Sequence, residues 1–338
     1  MAKANEEAVV SPQKLTQDLW GVLAAQAIIT GIELDVFTTI AEGARTAKDV
    51  ARRAKSSGRG VRMLLDALVA MGYLTKKSEK YGLAPISDKF LVRGKPSYMG
   101  AFATIGSLTR QGWADLGEVI KGGKPVEAVD AEETGREFFP KLVAALFPGS
   151  FGAAQAALAS LPAKTRKGIN RVLDVAAGSG AWSIPFAQAN PDARVTVVDF
   201  PEVTPITREY AAKFGVGGRY DYVEENLRQA DFGKGQYDLV ILGHIIHSEG
   251  EKWGKALVKK SFGALKPGGL LLIAEMVPND TRSGPVMPML FGLNMLVHTA
   301  EGDVFTMKEY RQWLKAAGFK KVSTIQAPAP SPLILATK

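Results

Sequence analysis

The stretch RVLDVAAGSGAW, residues 171–182, decides how this chain is read. It starts with the apolar, β-branched character of a buried strand. An acid, Asp174, follows near the strand end, and then come two alanines and a glycine pair. Gly178 and Gly180 let the backbone pass close to a ligand. A loop of this kind, leaving a strand and opening a helix, holds a nucleotide-like cofactor at the carboxyl edge of an α/β sheet.

Outward from that loop the pattern repeats. Strand-like runs at 171–176, 194–199, 220–224, 238–242 and 270–275 alternate with helical stretches near 181–189, 203–214 and 251–265. Alternation of this sort predicts an α/β fold with a doubly wound, mostly parallel, Rossmann-like sheet. One more helix is expected over 306–317. Two terminal strands, 320–326 and 332–337, are spaced to pair as a hairpin, with APAPSP as a rigid turn between them.

Residues 12–100 read differently. Pro12 suits a first helical turn, and Thr46 is placed to cap a short helix. A Ser-Ser-Gly turn precedes a helix over 59–71, which Gly72 ends. Residues 73–75 and 80–84 then suggest a hairpin with a charged tip. Helix, turn, helix, hairpin is a winged-helix pattern. The expected organisation is therefore a mainly α winged-helix domain over 1–100, a helical bridge over 101–165 with Trp113, Phe138, Phe139 and Phe147, and an α/β domain over 166–338.

Composition sets bounds on what this fold does. The 338 residues are 46% hydrophobic and 22% charged, the profile of a globular protein too long for one core. No run of about 18 uncharged apolar residues is expected to span a membrane. MAKANEEAVV lacks the basic start and apolar core of a secretory signal, so a cytoplasmic location is expected. Cysteine is absent, which excludes disulfides, iron–sulfur clusters, thiolate zinc sites and cysteine nucleophiles. The net charge of +8 raises nucleic acid as a partner. The helix at 59–71, however, offers only Arg59, Arg62 and Asp66 to a groove. A recognition helix needs a polar face that reaches base edges, so packing or dimerisation suits this one better.

The glycine loop also selects its cofactor. A dinucleotide site reads G-x-G-x-x-G and seats a pyrophosphate on the helix N-terminus. Here Ala176 replaces the first glycine and the third is missing. No basic residue stands between Asp174 and Gln188. Asp174 would repel a diphosphate and attract an ammonium or a sulfonium. S-adenosylmethionine carries both cations and no phosphate. Asp199, ending the second strand, can accept both ribose hydroxyls. Asn226 can bond an adenine edge with Leu227 and Phe200 on its faces, or serve simply as a turn residue.

Taken together, D-V-A-A-G-S-G, V-V-D-F-P, D-L-V-I-L-G-H-I-I-H-S-E-G-E-K-W and L-K-P-G-G resemble the class I S-adenosylmethionine-dependent methyltransferases. More narrowly, the chain resembles the small-molecule O-methyltransferases that place a winged-helix dimerisation domain ahead of the catalytic domain. The resemblance implies a homodimer, S-adenosylmethionine as cofactor with S-adenosylhomocysteine as product, and no metal. It implies cofactor contacts from Asp174, Ala176, Gly178, Gly180, Asp199, Phe200, Asn226, Leu227 and Gly243.

Methyl transfer to a hydroxyl requires in-line alignment, exclusion of water and removal of a proton. Histidine, titrating ordinarily near ~6.5, suits the last task. Three are present: His244, His247 and His298. In the resembling family the base is the histidine of an L-H-D motif, which His247 matches, although Ser248 stands where the family has aspartate. Two family acids assist that base. Glu275 matches one, and Val304 occupies the place of the other, so Glu301 or Asp303 must substitute if anything does. His244 matches an aromatic packing position. The H-x-x-H pair carries no neighbouring acid of the H-E-x-x-H kind, which argues against a metal. The methionine-rich segment PVMPMLFGLNMLVH matches the helix that lines the family's acceptor pocket, through Met289, Asn294, Met295 and His298.

The leading expectation is thus a methyltransferase acting on a hydroxyl of a small aromatic molecule, with His247 as general base. N- or C-methylation by proximity is an alternative. A nicotinamide oxidoreductase is disfavoured by Asp174. A DNA regulator keeping a degenerate methyltransferase domain as a sensor is disfavoured by the apolar second helix, and a non-catalytic S-adenosylmethionine binder remains a further reading.

Overall fold

The computed structural model describes residues 11–95, 97–101, 103, 112–126, 128 and 132–338. The stretch MAKANEEAVV and the Phe138 side chain lie outside the described residues. The chain divides into two compact units, 1–106 and 107–338.

The first unit contains α1 (Gln13–Glu33), α2 (Val36–Ala41), α3 (Ala47–Arg53), α4 (Gly58–Ala70), the hairpin β1 (Leu74–Lys77) and β2 (Lys80–Leu83), and α5 (Pro85–Phe90). The winged-helix order is present. The Thr46 hydroxyl accepts from the Asp49 amide at 3.2 Å, which caps α3 as the residue type requires. Helix α4 buries Val61, Leu65 and Leu68 against Val36, Phe37 and Ile40. On its polar face Asp66 is engaged internally, while Arg59 is exposed. Asp66 accepts from Arg62 at 2.8 Å, Lys76 at 2.7 Å and Tyr81 at 2.7 Å, tying the helix to the wing. Helix α1 keeps little for its own core. Leu15, Leu19, Trp20, Val22 and Leu23 are exposed on it, an apolar surface larger than scattered exposed residues would make.

The second unit carries α6 (Leu116–Gly122), α7 (Glu132–Ser160), α8 (Ala163–Gly168), β3 (Arg171–Val175), α9 (Ile184–Ala189), β4 (Arg194–Asp199), α10 (Thr204–Lys213), β5 (Tyr220–Glu224), β6 (Tyr237–Gly243), α11 (Ile246–Ala264), β7 (Leu265–Ala274), α12 (Val286–His298), α13 (Met307–Ala317), β8 (Lys321–Ile325) and β9 (Leu333–Thr337). The sheet runs β5-β4-β3-β6-β7-β9-β8. The first five strands are parallel, and β9 pairs antiparallel with both β7 and β8. Strand order reverses between β3 and β6, so the loops after those two strands face each other at the ligand-binding edge. Alternate residues of β3 and β6 enter two cores. Val172, Leu239 and Ile241 pack on one face, while Leu173, Val175, Val240 and Leu242 pack on the other.

Three features depart from the sequence reading. Helix α9 begins at Ile184, so the glycine loop extends through Trp182 and Ser183 instead of closing at 181. Helix α11 begins at Ile246, ahead of the expected 251, and is broken at Gly250, whose φ is 74°. Within α7, Leu142–Ser160 is long and apolar enough, by length and composition, to cross a bilayer. The expectation that no apolar run reaches this length is corrected here, and the core takes up only part of the run. Phe147, Ala153, Ala154 and Ala157 enter the core beside Val172 and Ile184.

Candidate active site

The glycine loop opens at the end of β3 with three left-handed residues: Ala176 at φ 54°, Gly178 at 57° and Gly180 at 70°. Side chains are excluded at both glycines. A Cβ on Gly178 would meet Val143 at 3.0 Å, and one on Gly180 would meet Thr207 at 3.1 Å. The Thr207 hydroxyl donates to the Gly178 carbonyl at 2.5 Å and holds the loop's crown to α10.

Two buried carboxylates flank this loop. Asp199, at the end of β4, accepts from the Gly178 amide through Oδ2 and from the Phe200 amide through Oδ1, each at 2.8 Å. Each oxygen keeps a second lone pair. Burial raises its carboxyl to about 6 despite those amides. Asp174 is buried at the root of the loop, and neither of its oxygens has a hydrogen-bond partner. Burial raises it to about 7, the Asp199 charge adding to the rise and the nearby Ser183 hydroxyl and amide opposing it. A sealed acid without a donor is costly in a folded protein, and it is a feature that a bound cation would relieve. This electrostatic pattern fits S-adenosylmethionine and opposes a diphosphate.

The remaining cofactor candidates divide. Phe200 is half-buried beside Asp199. Asn226 is a turn residue in the structure, its Oδ1 accepting from the Arg228 amide at 2.9 Å. Leu227 is buried in the sheet's second core with Val198 and Phe232. Gly243 ends β6 opposite the loop, and a Cβ there would lie 2.4 Å from the Trp182 indole. Sequence reasoning missed Trp182. The available signal was a large aromatic residue directly after the second glycine.

The loop after β6 carries the histidines. His244 takes a left-handed φ of 59°, uncommon for a residue with a Cβ, and its amide bonds the Ala274 carbonyl at 2.8 Å. That bond sets it beside Glu275. Burial pushes the His244 imidazole down to about 4, which keeps it neutral. His247 lies in the first turn of α11. Its Nδ1 is 2.6 Å from Glu275 Oε2, while Glu275 Oε1 accepts from the amides of Ile246 at 2.7 Å and His247 at 3.3 Å. One carboxylate therefore orients the ring and caps the turn that carries it. Burial alone would raise the Glu275 carboxyl, but the neighbouring His247 outweighs it and holds the group below the ordinary carboxylate range.

The expectation that no acid accompanies the H-x-x-H pair is corrected by this geometry. His244, His247 and Glu275 each place a ligand atom within 4.8 Å of the others, because β6 and β7 are adjacent in the sheet. The structure also places the three residues at the position of the second family acid. Val304 is buried and Glu301 is exposed. The Asp303 carboxylate turns to the Val304 amide at 2.7 Å and Arg282 at 3.8 Å. Asp303 reaches His247 through its backbone instead, its amide donating to the His247 carbonyl at 2.9 Å.

On α12, Phe291 packs edge-on against the His247 ring at 4.9 Å and 85°. Sequence reasoning missed it as well, although it lies three residues before Asn294 on the same helical face. The Asn294 Oδ1 accepts from the Trp113 indole at 2.9 Å. His298 is buried, its Nε2 has no partner, and it packs where a Cβ on Gly112 would meet it at 2.9 Å. Met295 is buried and Met289 half-buried. Neither methionine is linked to the base by a described contact.

A doubly wound sheet, an acid-floored glycine loop and a carboxylate–histidine pair on facing loops define a class I methyltransferase. The sequence pattern of the O-methyltransferase domain matches residues 153–320, and that of the O-methyltransferase dimerisation domain matches residues 18–93. The chain belongs to this O-methyltransferase family, and it is an S-adenosylmethionine-dependent O-methyltransferase of small molecules. It is 29% identical to 3-hydroxy-5-methyl-1-naphthoate 3-O-methyltransferase of Streptomyces sahachiroi, over 94% of this chain and 92% of that one. It is 29% identical to the tetracenomycin polyketide synthesis 8-O-methyltransferase of Streptomyces glaucescens, over 98% of each. A solved structure from Nostoc punctiforme, assigned to the O-methyltransferases, superposes with a TM-score of 0.86 at 28% identity, covering 98% of this chain and 100% of that one.

Proposed function

We propose that His247 is the general base and Glu275 its orienting acid in methyl transfer to the hydroxyl of a fused-ring aromatic compound. The 2.6 Å contact between His247 Nδ1 and the ionised Glu275 carries this reading. A carboxylate at that distance holds the ring proton on Nδ1 and leaves Nε2 with a lone pair for the acceptor's hydroxyl proton. When bound, the cofactor supplies an electrophilic methyl on a sulfonium. The chain's own part is to hold the acceptor oxygen in line and to take its proton on His247 Nε2. The Phe291 edge fixes the imidazole plane.

Asp199, with a free lone pair on each oxygen, is assigned to the ribose hydroxyls. Asp174 supplies the negative floor, and Ala176, Gly178, Gly180, Phe200 and Gly243 form the cofactor's close contacts. Asn226 and Leu227 contribute by shaping the turn after β5. Acceptor contacts come from Met289, Asn294, Met295 and His298. The unpaired His298 Nε2 and the Asn294 amide, fixed by Trp113, give one face of α12 two polar stops for a second oxygen on the ring system. The relatives that act on a hydroxynaphthoate and on tetracenomycin support a fused-ring acceptor.

We further propose a cytoplasmic homodimer assembled through the first unit. The matched dimerisation domain and the exposed Leu15, Leu19, Trp20, Val22 and Leu23 support this. Nucleic acid is not a partner in this reading, since Asp66 and Arg62 of α4 are engaged with each other and the wing.

The test is His247→Ala assayed with labelled S-adenosylmethionine against a panel of naphthols and larger fused phenols. Turnover should fall by about 10²-fold or more while cofactor affinity measured by calorimetry stays unchanged. Undiminished turnover would remove His247 from the base role.

A further inference from the structure

The turn that carries His247 is held from outside its own helix. Helix α11 breaks at Gly250, whose φ of 74° and ψ of 179° form a backbone conformation open in practice only to glycine. The short turn ahead of the break is thereby separated from the long helix behind it. The backbone of His247 is bonded at both ends to other segments. Its amide donates to Glu275, just after β7, at 3.3 Å, and its carbonyl accepts from the Asp303 amide at 2.9 Å. The segment 299–303, which supplies the second bond, comes this close only because of glycines. A Cβ on Gly302 would lie 2.7 Å from the His247 carbonyl oxygen and would overlap the Thr299 hydroxyl. A Cβ on Gly250 would run into the Glu301 carbonyl. The segment is itself braced. The Thr299 hydroxyl accepts from the Gly302 amide at 3.1 Å and donates to the Met295 carbonyl at 2.6 Å, while Arg282 donates to the Val304 carbonyl at 2.8 Å.

Two glycines from distant parts of the chain thus interlock behind the base. Glu275 holds the ring and the amide end of the turn. With that support alone, ring and turn would pivot together on one carboxylate. A bond to the carbonyl end from another segment removes this freedom. Resting on the reading of His247 as general base, we propose that the segment 299–303 is the second support of that base, with Gly302 the positioning residue that lets the Asp303 amide reach the His247 carbonyl. Such a support needs no acidic side chain, which fits the buried Val304 and the exposed Glu301 in the same stretch. A displaced base costs rate chiefly where a proton must be removed. An acceptor whose hydroxyl is already ionised is spared that cost. A segment that served only as packing would affect both kinds of acceptor alike.

Turnover by the full chain with a naphthol and with its ring-nitrated analogue, ionised at neutral pH, tests this. For Gly302→Ala, turnover of the naphthol should fall about tenfold and that of the nitronaphthol by less than about twofold, with calorimetric affinity for S-adenosylmethionine unchanged. Thr299→Val covers the case in which the alanine variant fails to fold. It removes the hydroxyl that holds the Gly302 amide and should show the same bias at roughly fourfold, most of which Thr299→Ser should recover. Equal losses for both acceptors, or undiminished turnover of the naphthol, would overturn the proposal and leave the segment as packing. His247→Ala separates this from the reading beneath it, and should show the same bias in larger measure. If that variant loses both acceptors alike, the base itself is refuted; if it shows the bias and the Gly302 and Thr299 variants do not, only the support is.

Discussion

Two buried acids stand at the ends of neighbouring parts of the same sheet, and they are in opposite states. Glu275, after β7, has three donors: two amides and an imidazole. It is held ionised. Asp174, on β3, makes no well-formed hydrogen bond, and burial raises it to about 7 against the weaker opposing pull of Ser183. Burial is nearly equal for the two, at 2% and 1% exposure, so partners and not depth decide the charge. In the proposed reading the base side of the site is complete in the protein alone, and the cofactor side keeps an electrostatic deficit for a cationic guest.

The comparison can be broken most severely at its complete end. Glu275→Gln keeps the shape but loses the charge that fixes the His247 proton on Nδ1. Turnover should drop by about 10²-fold, the scale of a misoriented general base, with S-adenosylmethionine affinity held within about threefold. If single-turnover rates with a naphthol acceptor stay near wild type, the dyad is only structural.

At the other end the expected effect is smaller and two-sided. Because its folded pKa is raised, Asp174 contributes stability that is present below about 4 and is lost as pH rises through about 7. Asp174→Asn removes that loss. The cofactor-free variant should melt a few degrees higher than wild type at pH 8, with no advantage at pH 4. Its affinity for S-adenosylmethionine should be weaker by about tenfold. Thermal melts at both pH values, with a cofactor titration, separate the two consequences. A variant that melts lower at pH 8 yet binds as tightly would reverse the assignment.

What was legible in the sequence follows the range of each signal. The Thr46 cap, the strand–helix alternation and the glycine loop are local patterns and read directly. His247 and Glu275 were found through the family resemblance, since no spacing rule brings the ends of β6 and β7 together. The rest depends on contacts between distant segments. Trp182 acquires meaning only where Gly243 makes room for it, and Phe291 only where α12 crosses His247. The Asp303 contact to His247 was invisible because it is made by the amide, which carries no residue identity.

The contrast between the two acids is tested most directly by the protons that leave when the cofactor binds. Titration with S-adenosylmethionine at pH 6.5, in buffers of different ionisation enthalpy, should show release of between about one half and one proton per site, as the cation drives Asp174 to its charged form. Asp174→Asn should cut that release. Binding at pH 6.5 with no proton exchanged, or with proton uptake, would contradict the picture of an unpaired acid waiting for a cation.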